Sequence, residues 1–246
     1  MPVFNGSNYI YLDSCASTNE ALKTEELSKK LVEGTALYTD YQLKGKGQQE
    51  NSWESEPGKN LLISYLFYPN FLKPDEQMWL NLAVCVAVKQ VVSHFTEQKT
   101  WIKWPNDSYV NGKKIAGILI ENSLQGSKLR SSVCGIGLNI NQLTFSHEKA
   151  GSLAGICGRE FDRKEVREYL SAELAKTYSW LKLGKREQLK QAYESSLWGK
   201  GELLKFSKGT EIFEGEILGI GQLGKLHILV NDEVQSFANK EIAFIH

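Results

Sequence analysis

The chain has 246 residues, 41% of them hydrophobic and 24% charged, which is enough for one substantial core and a small accessory domain. Its 29 Lys and Arg residues balance 29 Asp and Glu residues, so it lacks the basic excess that is typical of nucleic-acid-binding proteins. The cysteines and histidines are scattered without metal-ligand spacing, which argues against a zinc site. The start of the chain has no secretory pattern and the apolar runs are short, which argues against secretion and membrane insertion. Together these features favour a reduced, cytoplasmic protein.

The first part of the chain predicts alternating strands and helices. A strand at 9–12 precedes a helix whose start has the capping-box pattern, with Ser17 as N-cap and Glu20 three residues later. We expect Gly34 to end this helix. A strand at 35–41, a Gly-rich charged loop at 44–59, an apolar strand at 60–68 and a long helix from Pro74 then follow.

The second part begins with strands at 100–104 and 108–121, and the pair Asn111-Gly112 predicts a two-residue hairpin turn. A strand at 130–140 and helices at 163–183 and 186–197 come next. Five short β segments, separated by Gly and Asn-Asp, then occupy 202–245. We therefore predict an α+β catalytic domain at 1–198, with helices packed on a mixed, largely antiparallel sheet, and a small β-barrel domain at 199–246.

Two polar segments of the first half are candidates for chemistry. In the loop at 41–53, glycines let a ligand approach the backbone, and lysines add positive charge; alone, a solvated connector explains it equally well. In the segment 101–107, Lys103 lies between two tryptophans, where an unpaired ammonium is costly. Asp107 follows at the strand end, where it could hold Mg²⁺ through water, although a plain β-turn is the alternative.

Two further segments follow the predicted hairpin. Lys114 enters a strand in which Ala116 and Gly117 leave room for a ligand, and a lysine there can stabilise negative charge on a carboxylate and a phosphate together. In the strand at 135–141, Asn139 offers a donor and an acceptor to an adenine edge. An exposed hairpin lysine and a strand bent by glycine are the ordinary interpretations of these two segments.

The order and spacing of these segments resembles the biotin protein ligases, closely over about residues 12–141 and more loosely in the β-rich tail. The resemblance rests on Ser-Thr-Asn at 17–19, the Gly/Lys loop that ends in Trp53, Lys-Trp-Pro-Asn-Asp at 103–107, Lys-Ile-Ala-Gly-Ile at 114–118 and Gly-x-Gly-x-Asn at 135–139. It implies the family's catalytic domain and its small C-terminal barrel.

The resemblance also implies site residues. The catalytic residues it implies are Lys114, which bridges the biotin carboxylate and the α-phosphate, and Lys103. Biotin is expected to contact Ser17, Thr18, Asn19, Gln42, Gly45, Lys46, Gly47, Gln48, Lys114 and Gly117. ATP is expected to contact Lys46, Gln48, Trp53, Lys103, Asn106, Lys114 and Asn139, and Asp107 to hold Mg²⁺, directly or through water.

The implied reaction joins biotin and ATP into biotinyl-5′-AMP and then transfers biotin to a lysine of a biotin carboxyl carrier protein, the expected partner. The motifs start within the first twenty residues, so we expect the monofunctional type without an N-terminal DNA-binding domain and without DNA binding. A homodimer is compatible with the sequence. The alternatives are a lipoate ligase or octanoyl transferase of the same fold class, and a biotin-binding module that has lost catalysis.

The glycine-rich loop departs from the family pattern Gly-Arg-Gly-Arg-x-Gly. Lys46 keeps a positive charge but lacks the bidentate fork of arginine, Gln48 has no charge, and Glu50 replaces a glycine. We therefore expect the adenylate to be held less tightly than in members that carry both arginines.

Overall fold

A computed structural model of the chain describes residues 8–47, 52–126 and 128–245. Within these ranges, five α-helices are α1 (Thr18–Ser28), α2 (Met78–Thr96), α3 (Leu153–Cys157), α4 (Arg163–Lys182) and α5 (Arg186–Glu194). The strands of the first part are β1 (Tyr9–Cys15), β2 (Ala36–Gln42), β3 (Leu61–Phe67), β4 (Trp101–Lys103), β5 (Asp107–Val110), β6 (Lys113–Gln125) and β7 (Lys128–Leu138). Those of the last part are β8 (Leu203–Lys208), β9 (Glu211–Ile220), β10 (Leu226–Val230), β11 (Glu233–Phe237) and β12 (Ala243–Ile245).

The main sheet has seven strands in the order β1-β2-β3-β7-β6-β5-β4. Only the β1–β2 pair is parallel, and the remaining pairs are antiparallel, which confirms the predicted mixed, largely antiparallel sheet. Between β5 and β6, Asn111 and Gly112 both have positive φ, of 49° and 75°. Because a type I′ turn requires positive φ at both central residues, the Asn-Gly hairpin prediction is confirmed.

Helices cover both faces of this sheet, which is why every residue of β3 is buried. Alternate side chains of β3 point to opposite faces. Ile63, Tyr65 and Phe67 join the large core that includes α2 and α4. Leu66 points the other way and packs with Leu22 of α1.

Helix α2 is the central helix of the core. With the 3-10 turn before it, the helical segment Pro74–Thr96 has 23 residues, and an 18-residue stretch within it has a mean hydropathy of 1.3, so it is long and apolar enough to cross a bilayer by length and composition only. The short continuous apolar runs of the sequence did not indicate this helix as a candidate span. The segment is mostly buried inside the protein, and α2 packs on α4, α5 and the sheet, as the core helix of a globular protein does.

The last five strands form a separate antiparallel sheet in the order β11-β10-β9-β8-β12, which confirms the predicted small C-terminal β domain. Stacked phenylalanines line its inner face, with Phe213 5.5 Å from both Phe206 and Phe237 between ring centroids. The C-terminal sheet is joined to the main body beside β4, where the Trp104 indole N–H donates to the carbonyl of Gly224 at 2.9 Å. The hydrophobic core runs continuously across this junction, and a division at 198/199 stays a prediction.

Two local predictions at the first helix are wrong. Ser17 is the N-cap of α1 as predicted, but the capping box does not form: the Ser17 side chain makes no capping hydrogen bond, and the Glu20 carboxylate pairs with Lys46. The helix ends at Ser28, and Gly34 instead supplies a positive φ of 87° in the turn before β2. The short helix α3 was absent from the sequence prediction.

Candidate active site

Two adjoining cavities open at the glycine-rich part of the main sheet. The first cavity is lined by the start of α1, the glycine-rich loop, the turn between β4 and β5, and the glycines of β6 and β7. The second cavity is lined by Tyr109, Asn139 and the segment 145–150. Ser52, Trp53 and Lys114 line both, so these three residues mark where the cavities meet.

A buried polar cluster forms one end of the first cavity. The Gln42 side-chain oxygen accepts from the backbone N–H of Thr18 at 2.8 Å and from its hydroxyl at 3.1 Å. The hydroxyl of Ser64 lies 2.7 Å from the Thr18 hydroxyl and 2.6 Å from the carbonyl oxygen of the Asn19 side chain. Ser17, Thr18 and Asn19 are each less than 5% exposed. These contacts hold the polar groups in fixed positions before any ligand arrives.

A charged pair extends this cluster. The Asn19 side-chain amide donates to the Glu121 carboxylate at 2.6 Å and to the Leu119 carbonyl at 3.2 Å, and Lys23 forms an ion pair with Glu121 at 2.6 Å. Burial disfavours the ionised form of Glu121, but Lys23 and Asn19 outweigh it and keep the pKa of this carboxyl below its usual value of 4.5. Both the amide nitrogen and the carbonyl oxygen of the Asn19 side chain are thus held by hydrogen bonds.

Glycines of β6 and β7 form the floor of the cavities. Gly117 and Gly137 pair directly across the two strands. The Trp53 indole lies on them so closely that a Cβ would come within 2.8 Å of the ring at Gly117 and 2.3 Å at Gly137. Only glycine fits at such contacts. The space beside Gly117, which was expected to admit a ligand, is therefore also occupied by the Trp53 indole.

Lys114 stands at the junction of the two cavities. Its ammonium forms an ion pair with Asp107 at 2.7 Å and lies 5.6 Å from the centre of the Trp53 ring. Burial raises the pKa of the Asp107 carboxyl, although Lys114 and Lys103 both favour its charged form. Sequence had placed Lys114 and Asp107 in different roles, and the structure brings them into direct contact.

Lys103 lies outside the residues that line either cavity, although its charge acts on Asp107. Its ammonium is 5.0 Å from the ring centre of Phe244 and 5.5 Å from those of Tyr109 and Trp198. Burial lowers the pKa of Lys103, and repulsion from Lys149 and Lys114 lowers it further. The aromatic rings offset part of this cost through cation–π contact.

Two asparagines behave differently. Asn106 is buried in the first cavity, and its amide donates to the Ile118 carbonyl, which fixes the turn between β4 and β5. Asn139 lines the second cavity, and its amide donates to the Gly151 carbonyl at 2.9 Å. Its side-chain oxygen is buried without a hydrogen-bond partner. Since an unpaired buried acceptor is costly, a ligand N–H that reached this oxygen would be favoured.

The glycine-rich loop closes the first cavity from outside. Gly45 packs against the Trp53 backbone, where a Cβ would lie 2.5 Å from the carbonyl oxygen. Lys46 is exposed and paired with Glu20, and Gly47 lines the cavity. Gln48 and Glu50, whose roles the sequence put in question, lie outside the described residues.

A magnesium ion fits this chemistry only together with a phosphate ligand. Asp107 supplies a carboxylate at the cavity wall, whereas the described residues contain no group of three or more His, Cys, Asp or Glu side chains that could hold a metal. Mg²⁺ is commonly bound by one or two carboxylates plus substrate phosphates. The single carboxylate at position 107 suits such a shared ion.

Sequence reasoning missed three residues of the polar cluster, namely Ser64, Glu121 and Lys23. Ser64 interrupts an otherwise apolar buried strand, and Glu121 ends the apolar run of β6. A serine hydroxyl inside a fully buried strand needs a partner, and that requirement was the available indication.

The comparisons with known proteins agree with this geometry. Residues 11–139 match the model of the biotin/lipoate A/B protein ligase family. The chain belongs to this family. It is 31% identical to the bifunctional ligase/repressor BirA of Bacillus subtilis, over 96% of this chain and 74% of that protein. It is 29% identical to the biotin–[acetyl-CoA-carboxylase] ligase of Mycobacterium tuberculosis, over 71% and 67% of the two chains.

Among solved structures, the family's biotin protein ligase from Aquifex aeolicus, in complex with biotin and ATP, superimposes with a TM-score of 0.81. It is 30% identical and covers 97% of this chain and 99% of its own. The similarity therefore includes the C-terminal sheet as well as the catalytic domain.

Proposed function

We propose that this protein is an ATP-dependent biotin protein ligase, which forms biotinyl-5′-AMP and transfers biotin to a lysine of a biotin carboxyl carrier protein. The observation that carries this proposal is the position of Lys114 where the two cavities meet. Relatives of the chain include biotin protein ligases, and one solved relative holds biotin and ATP. Two cavities joined at a lysine suit a reaction between two anions.

The first cavity suits the biotin ring. Thr18, Asn19, Gln42 and Ser64 present hydroxyl and amide groups in a prearranged network, and the ureido group of biotin needs both donors and acceptors. The dithiolane ring of lipoate has no such groups, so binding it would leave buried polar atoms unpaired. The polar cluster therefore favours biotin over lipoate or octanoate.

The second cavity suits the nucleotide. The unpartnered oxygen of Asn139 is an acceptor for the exocyclic amine of adenine. The Trp53 indole N–H is also buried without a partner, so an acceptor on the bound adenylate would satisfy it. ATP bound here places its α-phosphate near Lys114.

In the first half-reaction, a biotin carboxylate oxygen attacks the α-phosphorus, an O–P bond forms, and the bond to the leaving pyrophosphate breaks. Lys114 offsets the repulsion between carboxylate and phosphate, and Lys103 adds positive charge that acts on Asp107. Asp107 would hold Mg²⁺ shared with the phosphates, and the ion would neutralise charge on them when bound.

In the second half-reaction, the acceptor lysine amine attacks the acyl carbon of the anhydride, an amide bond forms, and AMP leaves with the bonding electrons. Lys46 and Gly47 of the loop line the first cavity, and Trp53 lines both cavities. We propose that they shield the adenylate from water until the carrier protein arrives.

A pyrophosphate-exchange assay tests the function. Purified protein should exchange labelled pyrophosphate into ATP when biotin is present, and it should not do so with lipoate or octanoate. Calorimetric titration should likewise show heat with biotin and none with lipoate. Biotin binding without exchange would indicate a module that has lost catalysis, and lipoate-dependent exchange would overturn the choice of substrate.

A further inference from the structure

A buried glutamine joins three segments that border the second cavity. Gln142 is 1% exposed, and its side-chain oxygen accepts from the Glu56 N–H at 2.9 Å and from the Asn60 side-chain amide at 2.6 Å. Its own amide donates to the Thr144 carbonyl at 2.7 Å. Gln142 is outside the residues that line either cavity, so any effect on a ligand passes through the segments that it holds.

The first of these segments carries Trp53. Glu56 lies three residues after Trp53, where the glycine-rich loop returns to the main sheet. The same return is held by the Asn141 N–H, which donates to the Lys59 carbonyl at 2.9 Å. The indole that packs on the floor of the cavities is therefore attached to a segment that Gln142 fixes.

The second segment carries Asn139. Asn60 is also 1% exposed, and its side-chain oxygen accepts from the Ile140 N–H at 3.0 Å while its amide donates to Gln142. Ile140 follows directly after Asn139, whose side-chain oxygen has no partner. Because both polar ends of the buried Asn60 side chain are used, the backbone beside Asn139 is held in one position.

The third segment is the cavity wall at 145–150, which Thr144 directly precedes. Within this wall, Ser146 donates to the Glu54 carboxylate with its backbone N–H at 3.1 Å and with its hydroxyl at 2.5 Å. Glu54 is the residue after Trp53. The contact therefore closes a ring of hydrogen bonds that runs from the loop through Gln142 to the wall and back to the loop.

The three segments have the second cavity in common. Trp53, Asn139 and the wall at 145–150 all line it. The polar cluster of the first cavity is built from other side chains, and among the described residues none of them bonds to Gln142. Loss of the Gln142 side chain should therefore disturb the second cavity and spare the polar cluster.

From these observations we infer that Gln142 is a positioning residue for the nucleotide. It fixes Trp53, Asn139 and the wall at 145–150 relative to one another without touching ATP. The inference rests on the proposed function and deepens it, because it assigns the shape of the nucleotide cavity to one buried side chain. A cavity that is fixed in advance loses less entropy when the ligand binds.

The test measures biotin-dependent pyrophosphate exchange with Gln142→Met, which keeps the length of the side chain and removes its hydrogen-bonding groups. The KM for ATP should rise about fivefold, because Trp53 and Asn139 lose a common support, and the KM for biotin should stay unchanged. Ser171→Ala is the matched control. Ser171 is also buried and bonds two tyrosine hydroxyls, at 2.6 and 2.9 Å, but it lines neither cavity.

A double variant tests how the effect reaches the nucleotide. Gln142→Met combined with Asn139→Ala should raise the KM for ATP by less than the product of the single effects, because both changes disturb the same adenine contact. Equal rises in the KM for ATP and the KM for biotin in Gln142→Met would overturn the inference. A rise in the KM for ATP that was as large in Ser171→Ala would also overturn it.

The contact between Glu54 and Ser146 gives a test that does not depend on the stability of Gln142→Met. Both residues are exposed, so their substitution should leave the melting temperature unchanged. Ser146→Ala should raise the KM for ATP about twofold in the wild-type protein and not at all in Glu54→Ala, where its partner is absent. An equal rise in both backgrounds would contradict the inference, whereas absence of exchange in the wild-type protein would refute the proposed function.

Discussion

The two sides of the active site are built in different ways. In the first cavity, Thr18, Asn19 and Ser64 are buried and fully hydrogen-bonded to one another or to Gln42 and Glu121. In the second cavity, Asn139 and Trp53 each bury a polar atom that has no partner among the described residues. The hydrogen bonds of the first cavity are formed before substrate arrives, whereas the second cavity gains its missing hydrogen bonds when the nucleotide binds.

This difference bears on how affinity and order of binding arise. A prearranged network loses little entropy when a ligand binds, so the first cavity should bind biotin without ATP. Unpaired buried atoms store a cost that a matching ligand removes, so the second cavity should gain from binding a nucleotide. We therefore expect biotin binding to depend on the polar cluster alone, and nucleotide binding to depend on a few new hydrogen bonds.

The largest effect is expected at Lys114, where the two cavities meet. Lys114→Met should lower the rate of biotin-dependent pyrophosphate exchange by about 10³-fold, because it removes the charge that faces both reacting anions. Lys113→Met is the matched control, because the Lys113 ammonium contacts the Glu148 carbonyl on the exposed hairpin. A loss smaller than tenfold in Lys114→Met would show that the chemistry lies elsewhere.

The next largest effect is expected in the prearranged polar cluster of the first cavity. Ser64→Ala should raise the KM for biotin about tenfold, since Thr18 and Asn19 each lose a contact that fixes them, and should leave the KM for ATP unchanged. Ser132→Ala is the control, because Ser132 is an equally buried hydroxyl whose contact is with Asn122. Equal biotin values in the two variants would contradict a prearranged network.

A smaller effect probes the side that ATP completes. Asn139→Ala should raise the KM for ATP about fivefold, because the adenine amine loses its acceptor, and should weaken discrimination against GTP. The readout is exchange with each nucleotide at saturating biotin. If Asn139→Ala raised the KM for biotin instead, the assignment of the two cavities would be reversed.

The smallest effect is one of stability and pH. Glu121 has a lowered pKa, so its stabilising contribution is present above 4.5, its usual value, and is lost as the pH falls through its lower folded pKa. Glu121→Gln should lower the free energy of unfolding at pH 7 by about 1 kcal/mol, a value limited by partial exposure. Urea unfolding from pH 7 to pH 4 should show this difference shrink below pH 4.5.

Glu214→Gln controls for an ordinary exposed charge, since Glu214 and Lys205 lie 3.6 Å apart on the surface of the C-terminal sheet. It should change stability little at any pH. A Glu121→Gln difference that did not depend on pH would mean that the carboxylate charge contributes nothing to the cluster.

Local patterns predicted most strands and helices, but they failed where a tertiary contact competed with a local one. Asn111-Gly112 has a single favourable geometry, so its hairpin could be predicted from two letters. The capping box at Ser17 was wrong because Lys46, 26 residues away from Glu20, offers that carboxylate a charged partner. Sequence spacing contains no information about such a contact.

The site was predictable to the extent that its residues lie in ordered motifs. Lys114, Asp107 and Asn139 lie in those motifs and line the cavities, while their roles toward ligands stay predictions. Ser64 lies in another segment, and only the pairing of β3 with β7, which sets it opposite Gly135, brings it to the site. Residues recruited by a long-range pairing have no fixed spacing, so a linear motif omits them.

Because the Trp53 indole packs on Gly117 and Gly137, the effects of substitutions at these three positions depend on one another. Alanine at either glycine would displace the indole, because its methyl group would overlap the ring. After Trp53 has been exchanged for a small residue, this overlap would be gone, and the alanine at 117 would keep only contacts of 3.3 Å with Lys114 Cε and 3.4 Å with Asp107 Oδ1, so most of the cost would disappear. Positions 53, 117 and 137 should therefore change together in evolution, and combined substitutions should be far less harmful than the sum of single ones.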